Sequence, residues 1–129
     1  MARIVLDASA LLAAIYRESG GKRVAALFAD PDSTVLISTL NWSETLDRLL
    51  RDGMRDEDAE ELLSGLEIEV VAFDMEQAKT AAALRLAAPE LSLADRACIG
   101  LASLRKGIAW TTDKAWTRQT IHVPVEVLR

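Results

Sequence analysis

The chain has 129 residues, with 20 Asp and Glu against 15 Lys and Arg, a formal charge of −5 and half of its residues hydrophobic. Only six Gly and three Pro occur, which excludes a disordered chain, a collagen-like repeat and a flexible linker. The acidity argues against a protein that holds nucleic acid on a broadly basic surface, and the length predicts a single domain over residues 1–129.

Short apolar runs alternate with longer segments of helical period. Ile4-Val5-Leu6 reads as a strand, and Ala8 to Tyr16 as a helix with Leu11, Leu12 and Ile15 on one side. Gly20-Gly21 separates it from a second helix, Lys22 to Ala29, and Asp30-Pro31-Asp32 reads as a turn. Thr34 to Ser38 is a second strand. Asn41 to Arg51 follows as a helix with Trp42, Leu46, Leu49 and Leu50 at i, i+4, i+7 and i+8. Asp56 to Leu63 is an acidic amphipathic helix, Ile68 to Phe73 a third strand and Asp74 to Ala87 an alanine-rich helix. Leu93 to Arg105 is apolar nearly all round, which predicts a buried helix, closed by Gly107. Ile108 to Thr111 is a fourth strand, Lys114 to Arg118 a helical turn and Val123 to Leu128 a last strand. Short buried strands alternating with helices predict an α/β fold, a mostly parallel sheet flanked by helices on both faces.

Asp7 interrupts the N-terminal apolar run, so that run reads as strand and helix rather than a signal peptide. No apolar run reaches the roughly 18 residues of a membrane span. One cysteine, Cys98, and one histidine, His122, exclude an internal disulfide and a zinc site built from Cys and His, and fit a reducing, cytoplasmic setting. Ser19-Gly20-Gly21-Lys22 lacks the spacing of a phosphate loop and follows a helix rather than a strand.

Ligands of open α/β sheets bind beyond the carboxyl ends of the strands. Asp7, Asp74 and Asp113 follow the first, third and fourth strands, Glu44 lies in the first turn after the second, and Asp95 opens the buried helix. Each also has a plain structural role. Asp7, Asp74 and Asp113 suit N-caps; Ser92-x-x-Asp95 reads as a capping box, with Asn41-x-x-Glu44 a looser relative. Capping alone leaves two of them unexplained. Glu44 lies about 200° around its helix from both Trp42 and Leu46, and Asp95 has Cys98 and Ile99 as its i+3 and i+4 neighbours. Carboxylates gathered at one edge without a histidine favour a hard divalent cation, Mg²⁺ or Mn²⁺. That is the chemistry of metal-assisted phosphodiester hydrolysis. A serine nucleophile would have only His122 as a base, with no acid beside it, and Cys98 sits mid-helix in apolar surroundings.

The ordered set Val5-Leu6-Asp7-Ala8-Ser9, Ser43-Glu44, Leu91-Ser92-Leu93-Ala94-Asp95-Arg96-Ala97-Cys98 and Thr111-Thr112-Asp113-Lys114-Ala115-Trp116 resembles the PIN-domain proteins. Among them it is most similar to the VapC-type ribonuclease toxins of toxin–antitoxin pairs. The resemblance covers essentially the whole chain and implies a PIN-like three-layer fold with Mg²⁺, or Mn²⁺, held by Asp7, Glu44, Asp95 and Asp113. Ser9 and Thr111 match the polar positions that support such a site, whereas Asp74 matches a helix start and is left as a cap. Trp116 stands where Phe is commoner, and the site has no obvious fifth acid after Asp113.

The implied function is a Mg²⁺-dependent endoribonuclease that leaves a 5′-phosphate, paired with a VapB-like antitoxin and forming a homodimer. Lys22, Arg23, Arg48, Arg51 and Lys114 are candidate phosphate contacts. The three tryptophans read as core and surface anchors, with base stacking by Trp116, between Lys114 and Arg118, the less favoured reading. The alternatives are a PIN nuclease of ordinary RNA processing without an antitoxin, and a non-catalytic PIN scaffold. All four acids being present counts against the scaffold. A receiver-type phosphotransfer domain expects an acidic pair at the first strand end, where only Asp7 stands. Because four of the 20 acids are the proposed ligands, bulk acidity does not exclude an RNA substrate.

Overall fold

Alternation along the strands sorts the apolar residues onto the two faces of one sheet. The computed structural model of the chain describes residues 2–129. Among them β1 (Ala2–Leu6), β2 (Ser33–Ser38), β3 (Glu69–Val71), β4 (Ile108–Thr111) and β5 (Val125–Val127) form an all-parallel sheet in the order β3-β2-β1-β4-β5. Ile4 and Leu6, with Val35 and Ile37, point into one core with residues of α1 (Ala8–Ile15), α2 (Gly21–Phe28), α3 (Thr39–Arg51) and α4 (Asp56–Ser64). Val5, Leu36 and Ala109 point the other way, onto α6 (Leu93–Arg105), against which α5 (Met75–Ala87) packs. The predicted α/β architecture with both faces covered is therefore the observed one. Burial of a side chain such as Leu6, Leu11, Ile37 or Ile99 contributes roughly 1.5–3 kcal/mol.

The element order agrees with the sequence reading, and the differences are at the ends. Helix α3 starts at Thr39 because Ser38, the last residue of β2, caps it by accepting the Leu40 N–H at 3.3 Å. This removes the capping role expected for Asn41 and Glu44, and places Glu44 two residues deeper in its helix than predicted. Strand β5 is shorter than Val123–Leu128: Pro124 has no N–H to donate, and its carbonyl accepts from Ala109 N–H at 3.0 Å just before the strand begins. Strand β3, at the sheet edge, spans three residues instead of the predicted run from Ile68 to Phe73.

Connections from β1 run outward through β2 to β3, and the chain then crosses back to place β4 on the other side of β1. The sheet reverses direction of travel between β1 and β4, so the segments leaving these two strands diverge and open a crevice there. Asp7 leaves β1 and Thr111 ends β4 at this edge. No helix of the described residues is long and apolar enough to cross a membrane.

Candidate active site

Asp7 is the N-cap of α1, its Oδ1 accepting the Ala10 N–H at 2.8 Å. It is more than a cap. Only 4% of the residue is exposed; Ser9 Oγ donates to Oδ1 at 2.7 Å and Thr111 Oγ1 to Oδ2 at 2.5 Å. Burial pushes its carboxyl up to about 6, against the pull of these three donors, and the charge of Asp95 pushes the same way. Ser9 and Thr111, expected as supporting residues, thus touch Asp7 directly. They also tie the two strand ends together, since Thr112 N–H donates to Ser9 Oγ at 3.0 Å.

Asp95 closes the capping box that its spacing predicted: Ser92 Oγ accepts the Asp95 N–H at 3.1 Å, and Asp95 Oδ2 accepts the Ser92 N–H at 3.0 Å. One carboxylate oxygen, Oδ1, remains without a protein donor among the described residues. Glu44 makes no hydrogen bond or ion pair there, and its carboxyl is raised by partial desolvation first, then by the charges of Asp95 and Asp47. Asp95 therefore stands within electrostatic reach of both Asp7 and Glu44, and the three residues come from different elements.

Sequence reasoning missed the residue that holds two of these elements in place. Asn41 is 1% exposed; its Oδ1 accepts the Ala8 N–H at 3.3 Å, and its Nδ2 donates to the Ala94 carbonyl at 3.1 Å. Those backbone groups are the immediate neighbours of Asp7 and Asp95. A signal was present: Asn41, Thr45 and Leu49 share one helix stripe at i, i+4 and i+8, and all three are buried. Asn41→Ala strands a buried donor and a buried acceptor and is expected to cost about 1–3 kcal/mol in urea unfolding. An unchanged midpoint would deny the bridge.

Asp113 reaches the site through its backbone. Its N–H donates to Thr111 Oγ1 at 3.0 Å, while its exposed carboxylate caps the 3-10 turn Lys114–Arg118 by accepting the Ala115 N–H at 2.9 Å. Asp74 caps α5, accepting Gln77 N–H at 2.9 Å, as expected for a structural cap. Three of the candidate phosphate contacts are already paired: Arg23 with Glu126 at 2.7 Å, Arg48 with Asp52 at 3.0 Å and Arg51 with Asp47 at 2.9 Å. Lys22 and Lys114 carry no ion pair among the described residues. Trp116 is buried in the core beneath the 3-10 turn, as expected of an anchoring tryptophan, and is not exposed for base stacking. Cys98 is buried with its thiol pushed up by desolvation, its Sγ 3.6 Å from the Val5 carbonyl oxygen, and is inert packing.

None of Asp7, Glu44, Asp95 or Asp113 is paired with a cation among the described residues, and their donors are all oxygens. That set suits a hard divalent cation that keeps several waters. Among the described residues, no three His, Cys, Asp or Glu side chains are gathered closely enough to hold a metal ion by themselves.

Comparison with family models matches residues 4–121 to the PIN domain. No curated protein sequence gives a significant match. Among solved structures, the chain is similar to a chain of a toxin–antitoxin complex from Klebsiella pneumoniae, with a TM-score of 0.76, 20% identity and 98% of each chain covered. It is also similar to a chain of VapBC2 from Rickettsia felis bound to a promoter DNA fragment, with a TM-score of 0.75, 14% identity and coverage of 98% and 99%. A third similar structure is VapC20 of Mycobacterium tuberculosis, a toxin that cleaves the sarcin–ricin loop: TM-score 0.69, 17% identity, coverage of 94% and 99%.

Proposed function

The chain belongs to the PIN-domain family, and from that membership and the carboxylates at its β1–β4 edge we propose that it is a Mg²⁺-dependent endoribonuclease, the toxin of a toxin–antitoxin pair. The observation that carries this reading is Asp7: a carboxylate buried at the switch point, held by three donors, near a second acid, and without a cation. A fold shared with chains solved in toxin–antitoxin complexes supports an antitoxin as the partner, and the RNA-cleaving relative supports RNA as the substrate.

Asp7, Asp95 and Asp113 would hold the ion, directly or through water, with Mn²⁺ able to replace Mg²⁺. When bound, the ion supplies positive charge against the scissile phosphate and eases deprotonation of water. The chain's own groups do the rest. Ser9 and Thr111 fix both oxygens of Asp7, so its orientation is set before substrate arrives. Glu44, unbonded and raised by desolvation, would complete the set of residues that hold the ion or orient the attacking water. Water attack on phosphorus with departure of the 3′-oxygen leaves a 5′-phosphate and a 3′-hydroxyl.

Expressing the chain with and without the product of an adjacent short reading frame, while mapping new RNA 5′ ends, tests the whole reading. Growth arrest and discrete cuts are expected, suppressed by the second product and absent with Asp95→Asn. Cuts that persist unchanged with Asp95→Asn would remove the site assignment.

A further inference from the structure

Arg96 follows Asp95 in α6, is half-buried and forms no ion pair among the described residues. Its guanidinium is satisfied by two main-chain carbonyls instead. Nη1 donates to Ala81 of α5 at 2.9 Å, and Nε to Leu91, in the α5–α6 connection, at 3.4 Å. A partly desolvated cation without an anion is a poor way merely to join two helices. Leu84, Ala88 and Leu91 already pack with Cys98, Ile99 and Ala102 of α6 in one apolar cluster. What the guanidinium adds to that packing is direction.

The direction is that of one peptide plane. The Leu91 carbonyl that accepts from Arg96 and the Ser92 N–H that donates to Asp95 Oδ2 at 3.0 Å belong to the same planar amide. Holding the oxygen at one end fixes where the hydrogen at the other end points. A charged donor on the carbonyl also polarises the amide and strengthens its N–H as a donor. Asn41 grips the Ala94 carbonyl at 3.1 Å, so the first turn of α6 is held on both sides of its cap. The exposed Glu90 of the same connection accepts from Gln119 Nε2 at 3.0 Å, a surface bond that touches no atom of the Leu91–Ser92 amide.

We propose that Arg96 is a positioning residue for Asp95: through the Leu91–Ser92 peptide plane it holds one carboxylate oxygen in the cap and leaves the other free for the divalent cation. The inference rests on the metal-dependent reading of the acid edge. A guanidinium acting there by its charge alone would repel a cation, so the two roles predict effects of opposite sign.

Mn²⁺ alone, titrated into the full chain without RNA and followed by the EPR signal of the free ion, reads the affinity. Amide hydrogen exchange, followed by NMR in EDTA, reads the peptide plane. Arg96→Met keeps the length of the side chain and removes its donors. It is expected to weaken Mn²⁺ binding several-fold and to speed exchange of the Ser92 amide, leaving the Leu101 amide of the same helix unchanged. Arg96→Lys keeps the charge but not the planar fork that spans two carbonyls. It is expected to follow Arg96→Met in both readouts, and it carries the test if Arg96→Met does not fold. Mn²⁺ binding that is unchanged or tighter in the folded variant, or weaker without faster Ser92 exchange, would overturn the positioning role and leave the metal reading standing. If the unaltered chain binds no Mn²⁺, both readings fail.

Discussion

Asp7→Asn is expected to abolish RNA cleavage and, in EDTA at pH 7.5, to make the protein more stable by about 2–3 kcal/mol. The carboxyl is raised to about 6 from an ordinary value of 3.8, so folding favours its protonated form. The sign follows from proton binding: between these values the folded chain holds more protons than the unfolded chain. Stability from this group is therefore full below about pH 4 and lost as pH rises through about 6. An asparagine stays neutral and keeps the geometry. Its oxygen accepts from Ser9 and Ala10, and its amide donates to Thr111 Oγ1, whose hydroxyl rotates to accept. Urea unfolding at pH 5 and pH 7.5 reads the difference, which is expected to be about half as large at the lower pH as at the higher. Mg²⁺ is expected to stabilise the unaltered chain and not the variant, and its affinity to rise with pH through about 6 as Asp7 loses its proton. A variant less stable than the parent at both pH values would contradict the desolvated carboxylate.

Trp116→Ala is expected to cost about 3–5 kcal/mol, whereas Trp116→Phe is expected to cost far less. Trp116 is 2% exposed and packs in the core beneath the sheet face formed by Val5, Leu36 and Ala109. Its Nε1 is buried without an acceptor, so the indole contributes volume and contact rather than a hydrogen bond. Phenylalanine removes that unsatisfied donor and retains most of the packing, so the two losses partly offset. Because the residue sits on the turn capped by Asp113, the alanine variant is also expected to loosen that acid. Denaturant midpoints of the two variants decide the matter. Equal, small losses would mean that the ring is not a core residue.

The strands and helices were readable because their periods are local: β1 and α1 follow from Ile4 to Ile15, and Ser92 and Asp95 form the capping box that their spacing implies. The α/β class followed from the order of those elements. Asn41 was not readable as a bridge, because its partners Ala8 and Ala94 lie far along the chain and its helix begins two residues earlier than its own period suggests. The degree to which Asp7 is enclosed depends on Thr111, 104 positions away, and only the pairing of β1 with β4 brings them together. For Trp116 the sequence left base stacking open beside the favoured reading as an anchor. Its neighbours Lys114 and Arg118 are exposed, and local charge said nothing of a short turn that folds the ring inward.

The central claim is that carboxylates at the β1–β4 edge hold a divalent cation for RNA hydrolysis. Incubating the purified chain with single-stranded RNA in EDTA and in Mg²⁺, and analysing the cut ends, tests it most directly. The account predicts cuts bearing 5′-phosphates in Mg²⁺, none in EDTA, and none with either Asp7→Asn or Asp95→Asn. Cleavage that survives EDTA, or that both variants perform undiminished, would contradict it.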